Sequence, residues 1–144
     1  MKINITKLRE NAILPEYQTL HSAGMDLHAA IDEPVELKPM ERKIIPTGIA
    51  IELPSGYEAQ IRARSGLAIK HGITMANGVG TIDEDYRGEI GAIVINLGDK
   101  SFTVEPNMRI AQLVIAKYEK AEWNQVNNLD KTKRSSGGFG STGK

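Results

Sequence analysis

Residues 57–64, "YEAQIRAR", decide the fold class. Tyr57, Ala59, Ile61 and Ala63 alternate with Glu58, Gln60, Arg62 and Arg64. A side-chain period of two gives a strand one apolar and one polar face, so this segment reads as a half-buried β-strand. The same signal continues outward. "IPTGIAIELP" (45–54) and "GEIGAIVINLG" (88–98) are rich in β-branched residues and bounded by glycine or proline. "FTV" (102–104) and "IAQLVIAKY" (110–118) extend the series. Turn signals separate the segments, in "LKPME" (37–41), "LPSGY" (53–57), "NLGDK" (96–100) and "VEPNM" (104–108). Many short strands at this spacing predict an all-β, jelly-roll-like sandwich or barrel.

One short helix is expected at "SGLAIKHG" (65–72), with Ser65 as N-cap and Gly72 in the left-handed position past its end. From about Asp130 onward hydrophobic periodicity stops. Residues 1–129 therefore read as a β-rich domain and 130–144 as a mobile C-terminal arm. Fully extended, that arm reaches roughly 50 Å at ~3.3 Å per residue, enough to leave its own subunit.

Composition narrows the function. The 144 residues carry 18 Lys plus Arg and 18 Asp plus Glu, a formal net charge of zero. No general electrostatic hold on nucleic acid or an anionic membrane is expected. The absence of cysteine excludes disulfides and thiolate metal sites. His21, His28 and His71 do not form a metal-ligand spacing. "MKINITKLRE" has no signal-like apolar run, and no segment is long enough to span a bilayer, so a soluble cytoplasmic protein is expected.

Five stretches carry candidate chemistry. "SAGMDLHAA" (22–30) sets Asp26 among small and apolar residues, where a carboxylate needs a partner: an ion pair, or the water of a bound metal. "ARSGLA" (63–68) delivers Arg64 and Ser65 to a helix N-terminus, a setting suited to phosphate. "MANGVGTIDEDYRGEIGAIV" (75–94) reads as a hairpin with Gly80 opposite Gly91, leaving room for something planar against the backbone. In it Asn77 offers one donor and one acceptor to a base edge. Asp83, partly desolvated after Ile82, suits a general base, and Tyr86 is bulky enough to support a ligand. In "NMRIAQLV" (107–114) Gln112 interrupts an apolar strand. "RSSGGFGSTGK" (134–144) imitates a dinucleotide fingerprint and a P-loop, but neither the strand before it nor the helix after it is there.

In this order, "AGMDLHA", "RSGLA", "GTIDEDYRG", "RIAQLV" and "RSSGGFGSTG" resemble the homotrimeric dUTPase family, deoxyuridine triphosphate nucleotidohydrolases. The resemblance runs from Ala23 to Gly143. It implies a trimer with three shared sites, Asp26, Arg64 and Gln112 coming from one subunit, the hairpin from a second and the arm from the third. Asp83 would activate water against the α-phosphorus of dUTP, giving pyrophosphate and the dUMP needed for thymidylate synthesis, while keeping uracil out of DNA. Asp26 would hold Mg²⁺ through water. Arg64, Ser65 and the Gly66 amide would steady phosphates, with Gln112 ordering water. Asn77, Thr81, Ile82 and Gly91 would read uracil, and Tyr86 would lie beneath the sugar. From the arm, Phe139 would stack on the base while Arg134, Gly140, Ser141 and Thr142 close on the phosphates.

Two positions depart from the family pattern. Ser135 stands where glycine usually follows the arm's arginine, and Asn107-Met108 replaces a glycine-acid pair before Arg109. Two other functions are weighed. A dCTP deaminase-like enzyme of the same fold would need a glutamate placed to shuttle protons at C4 of cytosine, and none is identifiable. A non-catalytic nucleotide-binding module would have no use for Asp83 as a base.

Overall fold

The structure is a computed structural model describing residues 1–138. Its strands are β1 (Asn4–Lys7), β2 (Glu16–Tyr17), β3 (Gly24–His28), β4 (Val35–Leu37), β5 (Arg42–Pro46), β6 (Ile49–Glu52), β7 (Tyr57–Ala63), β8 (Ile73–Met75), β9 (Gly80–Ile82), β10 (Gly91–Asn96), β11 (Phe102–Val104) and β12 (Arg109–Lys117). The helix α1 (Ser65–His71) joins β7 to β8. The all-β, jelly-roll-like class read from the sequence is the one adopted. All strand pairings are antiparallel. A five-stranded sheet runs β2-β3-β12-β7-β9 and a three-stranded sheet runs β5-β10-β8. Two further pairs, β1-β6 and β11-β4, complete the described sheets.

The alternation in β7 does what a period of two predicts. Ala59 and Ile61 are buried. Across the five-stranded sheet Met25, Leu113 and Ile61 are direct partners, as are Leu27, Ala111 and Ala63. Directly opposed residues share a face, so these rows join Leu37, Ile45, Ile49 and Ile90 in one core. The other face carries a polar row, Glu16–Asp26–Gln112–Arg62, one residue from each of β2, β3, β12 and β7.

A bulge in β12 shapes that polar face. Arg109 pairs with His28 and Ala111 with Leu27, leaving Ile110 as the extra residue. Simple alternation would put Arg109 and Gln112 on opposite faces. The bulge brings both to the side of Asp26 and His28, as such irregularities re-aim side chains.

Two expectations are corrected. Arg64, in extended conformation, is the N-cap of α1, and no side chain among the described residues caps that helix; Ser65 is the first helical residue. Gly72 does take the left-handed position, with φ 69°. The hairpin reading fails at its pairing. Gly80 faces Ile61 of β7, whereas Gly91 faces Pro46 of β5. The two arms enter different sheets, β9 pairing with β7 and β10 with both β5 and β8, so both edges of β10 are already taken and the arms splay rather than close.

Candidate active site

At the end of β7 where α1 begins, five predicted site residues come together. Asp26 is only 8% exposed and meets two arginines. Its Oδ1 lies 3.1 Å from Arg64 Nε and its Oδ2 3.2 Å from Arg109 Nη1. Arg64 Nη1 also donates to the Arg109 carbonyl at 3.1 Å. Gln112 Nε2 donates to the Ala63 carbonyl at 3.0 Å, which holds its amide beside the start of α1. Ser65 and Gly66 are exposed there, and a side chain at Gly66 would meet nothing within 4 Å among the described residues. No acidic residue occupies the helix's first turn. The result is a positively edged ledge, with one buried carboxylate fixing two guanidinium groups and exposed amides alongside.

Sequence reasoning did not single out Arg109 or Gly24. A Cβ on Gly24 would sit 2.7 Å from Gln112 Oε1. A side chain here would press on the movable amide end of Gln112. His28, beside Asp26 on β3, buries its Nδ1 without a partner among the described residues. Burial pushes the His28 pKa below its ordinary value; Asp26 pulls it up, and Arg109 and Arg64 push it further down. Burial therefore disfavours the charged imidazole beside the ion pair.

The splayed arms of β9 and β10 form the second half. A cleft of about 240 Å³ lies between them, lined by Ile61, Asn77, Gly80, Asp83, Tyr86 and Gly91 among others. Thr81 and Ile82 also face it. A Cβ at Gly80 would press on Ile61 and the Asn77 amide at 3.2 and 3.3 Å, and one at Gly91 would meet Ile44 Cγ2 at 2.7 Å. Both glycines line the cleft without a side chain. Tyr86 donates its hydroxyl to the Glu89 carbonyl at 3.0 Å. Glu89 in turn takes Arg9 Nε at 2.7 Å and the Gly48 amide at 2.9 Å. The Arg9 hydrogen bond holds Glu89 below the usual carboxylate range and pins the wall leading to Gly91. Asp83 is exposed at the mouth rather than partly desolvated as expected, because among the described residues it is Glu84, not Asp83, that the turn folds back onto Tyr118 and Gly56.

The two halves do not meet within one chain. Ile82 pairs with Ala59, while Arg64 follows Ala63 at the far end of the same strand. Five residues of strand separate those levels, roughly 17 Å at ~3.3 Å per residue. Arg134 is exposed and donates Nε to the Gly137 carbonyl at 2.9 Å in its own turn. Phe139, Gly140, Ser141 and Thr142 lie outside the described residues.

The chain is similar throughout to known proteins. A family model described as dUTPase matches residues 10–143. The deoxyuridine 5'-triphosphate nucleotidohydrolase of Rickettsia felis is 59% identical over 143 residues, covering 99% of this chain and 97% of that protein. Its Rickettsia canadensis counterpart is 62% identical over 130 residues, covering 90% and 88%. Among solved structures, the dUTPase of Staphylococcus bacteriophage 80alpha with dUpNHpp aligns with a TM-score of 0.89 at 29% identity, covering 99% of this chain and 98% of that one. A mutant dUTPase of phage phi11, described for coordination of a structural Mg(II) ion, aligns with a TM-score of 0.80 at 26% identity, covering 89% and 98%. On this similarity, which agrees with the motif order and with the fold, the chain belongs to the dUTPase family, the enzymes that hydrolyse dUTP.

Proposed function

We propose that this protein hydrolyses dUTP to dUMP and pyrophosphate at sites assembled between three identical subunits, with Asp83 as general base. The separation of Asp83 from Arg64 along β7 carries the proposal. A base and a phosphate ledge at opposite ends of a strand cannot serve one α-phosphate unless different chains supply them. A closed homotrimer satisfies all three sites equally.

In this reading uracil enters the cleft between β9 and β10. Asn77 and the backbone around Thr81, Ile82 and Gly91 meet its polar edge. In this reading the backbone at Gly80 and Gly91 lies against the base and excludes a 5-methyl group. A yielding apolar pocket discriminates a methylene by only ~1–3 kcal/mol, so a rigid wall is needed against dTTP. Tyr86, held by Glu89, lies against the sugar and disfavours a 2′-hydroxyl. A neighbouring chain's Arg64, Ser65 and Gly66 hold the phosphates. Water then attacks the α-phosphorus in line, Asp83 takes its proton, and the bond to the α–β bridging oxygen breaks to release pyrophosphate. Gln112 orders the water. The arm of the third chain closes over the site, Phe139 on the base and Arg134, Gly140, Ser141 and Thr142 at the phosphates.

The residues present fit Mg²⁺ held mainly by substrate. Among the described residues no group of three acidic or histidine side chains forms a cage. Each oxygen of Asp26 takes one arginine contact and keeps acceptor capacity for a water. Magnesium bound to the triphosphate would neutralise phosphate charge, with Asp26 holding its waters.

Pyrophosphate release from dUTP, dTTP, dCTP and UTP with Mg²⁺ tests the reading, with ammonia measured in parallel. Selective pyrophosphate release from dUTP is expected. Ammonia from dCTP would contradict it.

A further inference from the structure

Glu84, directly after the proposed base, does not point to solvent as a turn acid ordinarily would. Its Oε2 accepts from Tyr118 Oη at 2.6 Å and from the Gly56 amide at 2.8 Å. Three separate segments meet at this one oxygen. Gly56, with φ 82°, sits in a turn closed by the Tyr57 amide on the Pro54 carbonyl at 3.2 Å, and the positive φ there favours glycine. Tyr118 follows the last residue of β12, and its own amide donates to the Gly56 carbonyl at 3.2 Å. The third segment is the Asp83–Tyr86 turn, closed by the Tyr86 amide on the Asp83 carbonyl at 3.1 Å. Arg87 Nη1 reinforces it from outside, donating to the Glu84 carbonyl at 2.6 Å.

Asp83 has no such anchor. It is exposed, and no side-chain hydrogen bond fixes it among the described residues. Its backbone position is set by the residues on either side: Ile82, paired in β9, and Glu84, fastened to Tyr118 and Gly56. We infer that Glu84 and Tyr118 are positioning residues for Asp83, a clamp that holds the base-bearing turn against the end of β12 so that the carboxylate stays aimed at the attacking water. This rests on Asp83 being the base.

The hydroxyl–carboxylate bond suits the task. The Glu84 hydrogen bond pushes Tyr118 up to about 12, and the same bond, followed by that of Gly56, lowers Glu84. Through neutral pH the donor keeps its proton and the acceptor its charge, and a charged acceptor makes a stronger hydrogen bond than a neutral one. The clamp also reaches the point where the chain leaves the last strand toward the residues assigned to the arm.

The test compares Asp83→Asn, Tyr118→Phe, Glu84→Ala, Glu84→Gln and the Tyr118→Phe/Glu84→Ala double variant. Each is assayed for dUTP hydrolysis with Mg²⁺, with assembly measured by light scattering. Misplacing a catalytic group by a fraction of an ångström should lower kcat about tenfold in Tyr118→Phe and in Glu84→Ala, with KM within about twofold of wild type. Glu84→Gln keeps an oxygen for both donors and should recover most of kcat. The double variant should lose no more than either single change, since both break one clamp. Wild-type kcat in Tyr118→Phe and Glu84→Ala, alongside an inactive Asp83→Asn, would overturn the clamp and leave the base assignment standing. Activity retained by Asp83→Asn would overturn the base assignment beneath it. Losses that follow dissociation of the assembly, with no recovery in Glu84→Gln, would show a structural role and overturn the clamp as well.

Discussion

Ile82 of β9 pairs with Ala59 of β7, and that register sets Asp83 and Arg64 near opposite ends of one strand. The strand is rigid and paired on both sides, by β12 and β9. No side-chain rotation closes such a gap. In the proposed reading the chain therefore presents two half-sites, a cleft for the base and a ledge for the phosphates, to be completed by neighbouring chains.

If Asp83 takes the proton of the attacking water, Asp83→Asn should lower kcat by about 10²–10⁴, the usual worth of a general base. Binding of a non-hydrolysable dUTP analogue should change little, because other groups hold the nucleotide. Titration calorimetry with parallel steady-state kinetics checks both halves. A variant keeping a tenth of wild-type turnover would remove Asp83 from the role.

Gly24→Ala should damage catalysis while sparing the fold. The added methyl meets Gln112 Oε1, the movable end of a side chain, so the amide shifts away from the Ala63 carbonyl at little cost in packing. The expected result is a kcat loss of about tenfold, matched by Gln112→Ala, with a nearly unchanged melting temperature. A cooperative loss of several degrees, with kcat intact, would mean that Gly24 serves packing alone.

His28 makes stability fall on the acid side of neutrality. Its folded pKa is lowered, chiefly by burial, so the unfolded chain binds the proton more readily. Stability is then full above the unfolded value of about 6.5 and declines as pH drops below it toward the folded value. Melting temperatures of the nucleotide-free protein between pH 8 and pH 5.5 should show this decline, and His28→Gln should flatten it. Equal slopes for the two proteins would place the titration elsewhere. Glu41, Glu84 and Glu89 are also lowered, and their loss begins only below about pH 4.5.

The two departures from the family pattern both fall at left-handed backbone. Asn107 has φ 63° and Ser135 φ 46°. Asn107 occupies the third position of a turn closed by the Met108 amide on the Glu105 carbonyl at 3.1 Å, with Pro106 before it. Asparagine is among the few residues besides glycine that tolerate this conformation. Asn107→Gly should leave stability nearly unchanged, and Asn107→Val should lower it by about 1–2 kcal/mol in chemical unfolding. Equal stability of the two variants would show that the turn relaxes freely.

Much of this was legible in the sequence because it is local. Period two in 57–63 gave the strand and its buried face, Gly72 gave the helix end, and the motif order gave the family. Long-range choices were not legible. Gly80 and Gly91 looked like partners, but alternation does not say which strand an edge pairs with. Arg109 was hidden because a bulge at Ile110 reverses the face that its spacing from Gln112 implies. The anchoring of Glu84 joins residues 34 positions apart, and an acid in a turn gives no sign of it.

Mixed assembly tests the shared site most directly. Asp83→Asn chains keep the Arg64 ledge, and Arg64→Ala chains keep the base; each protein alone should be nearly inactive. Co-refolded in equal amounts, they should recover about a quarter of wild-type activity, because that share of sites draws its ledge and its base from the two intact sources. A mixture no more active than its separate components would contradict the shared site and place Asp83 and Arg64 in one chain's own reaction centre.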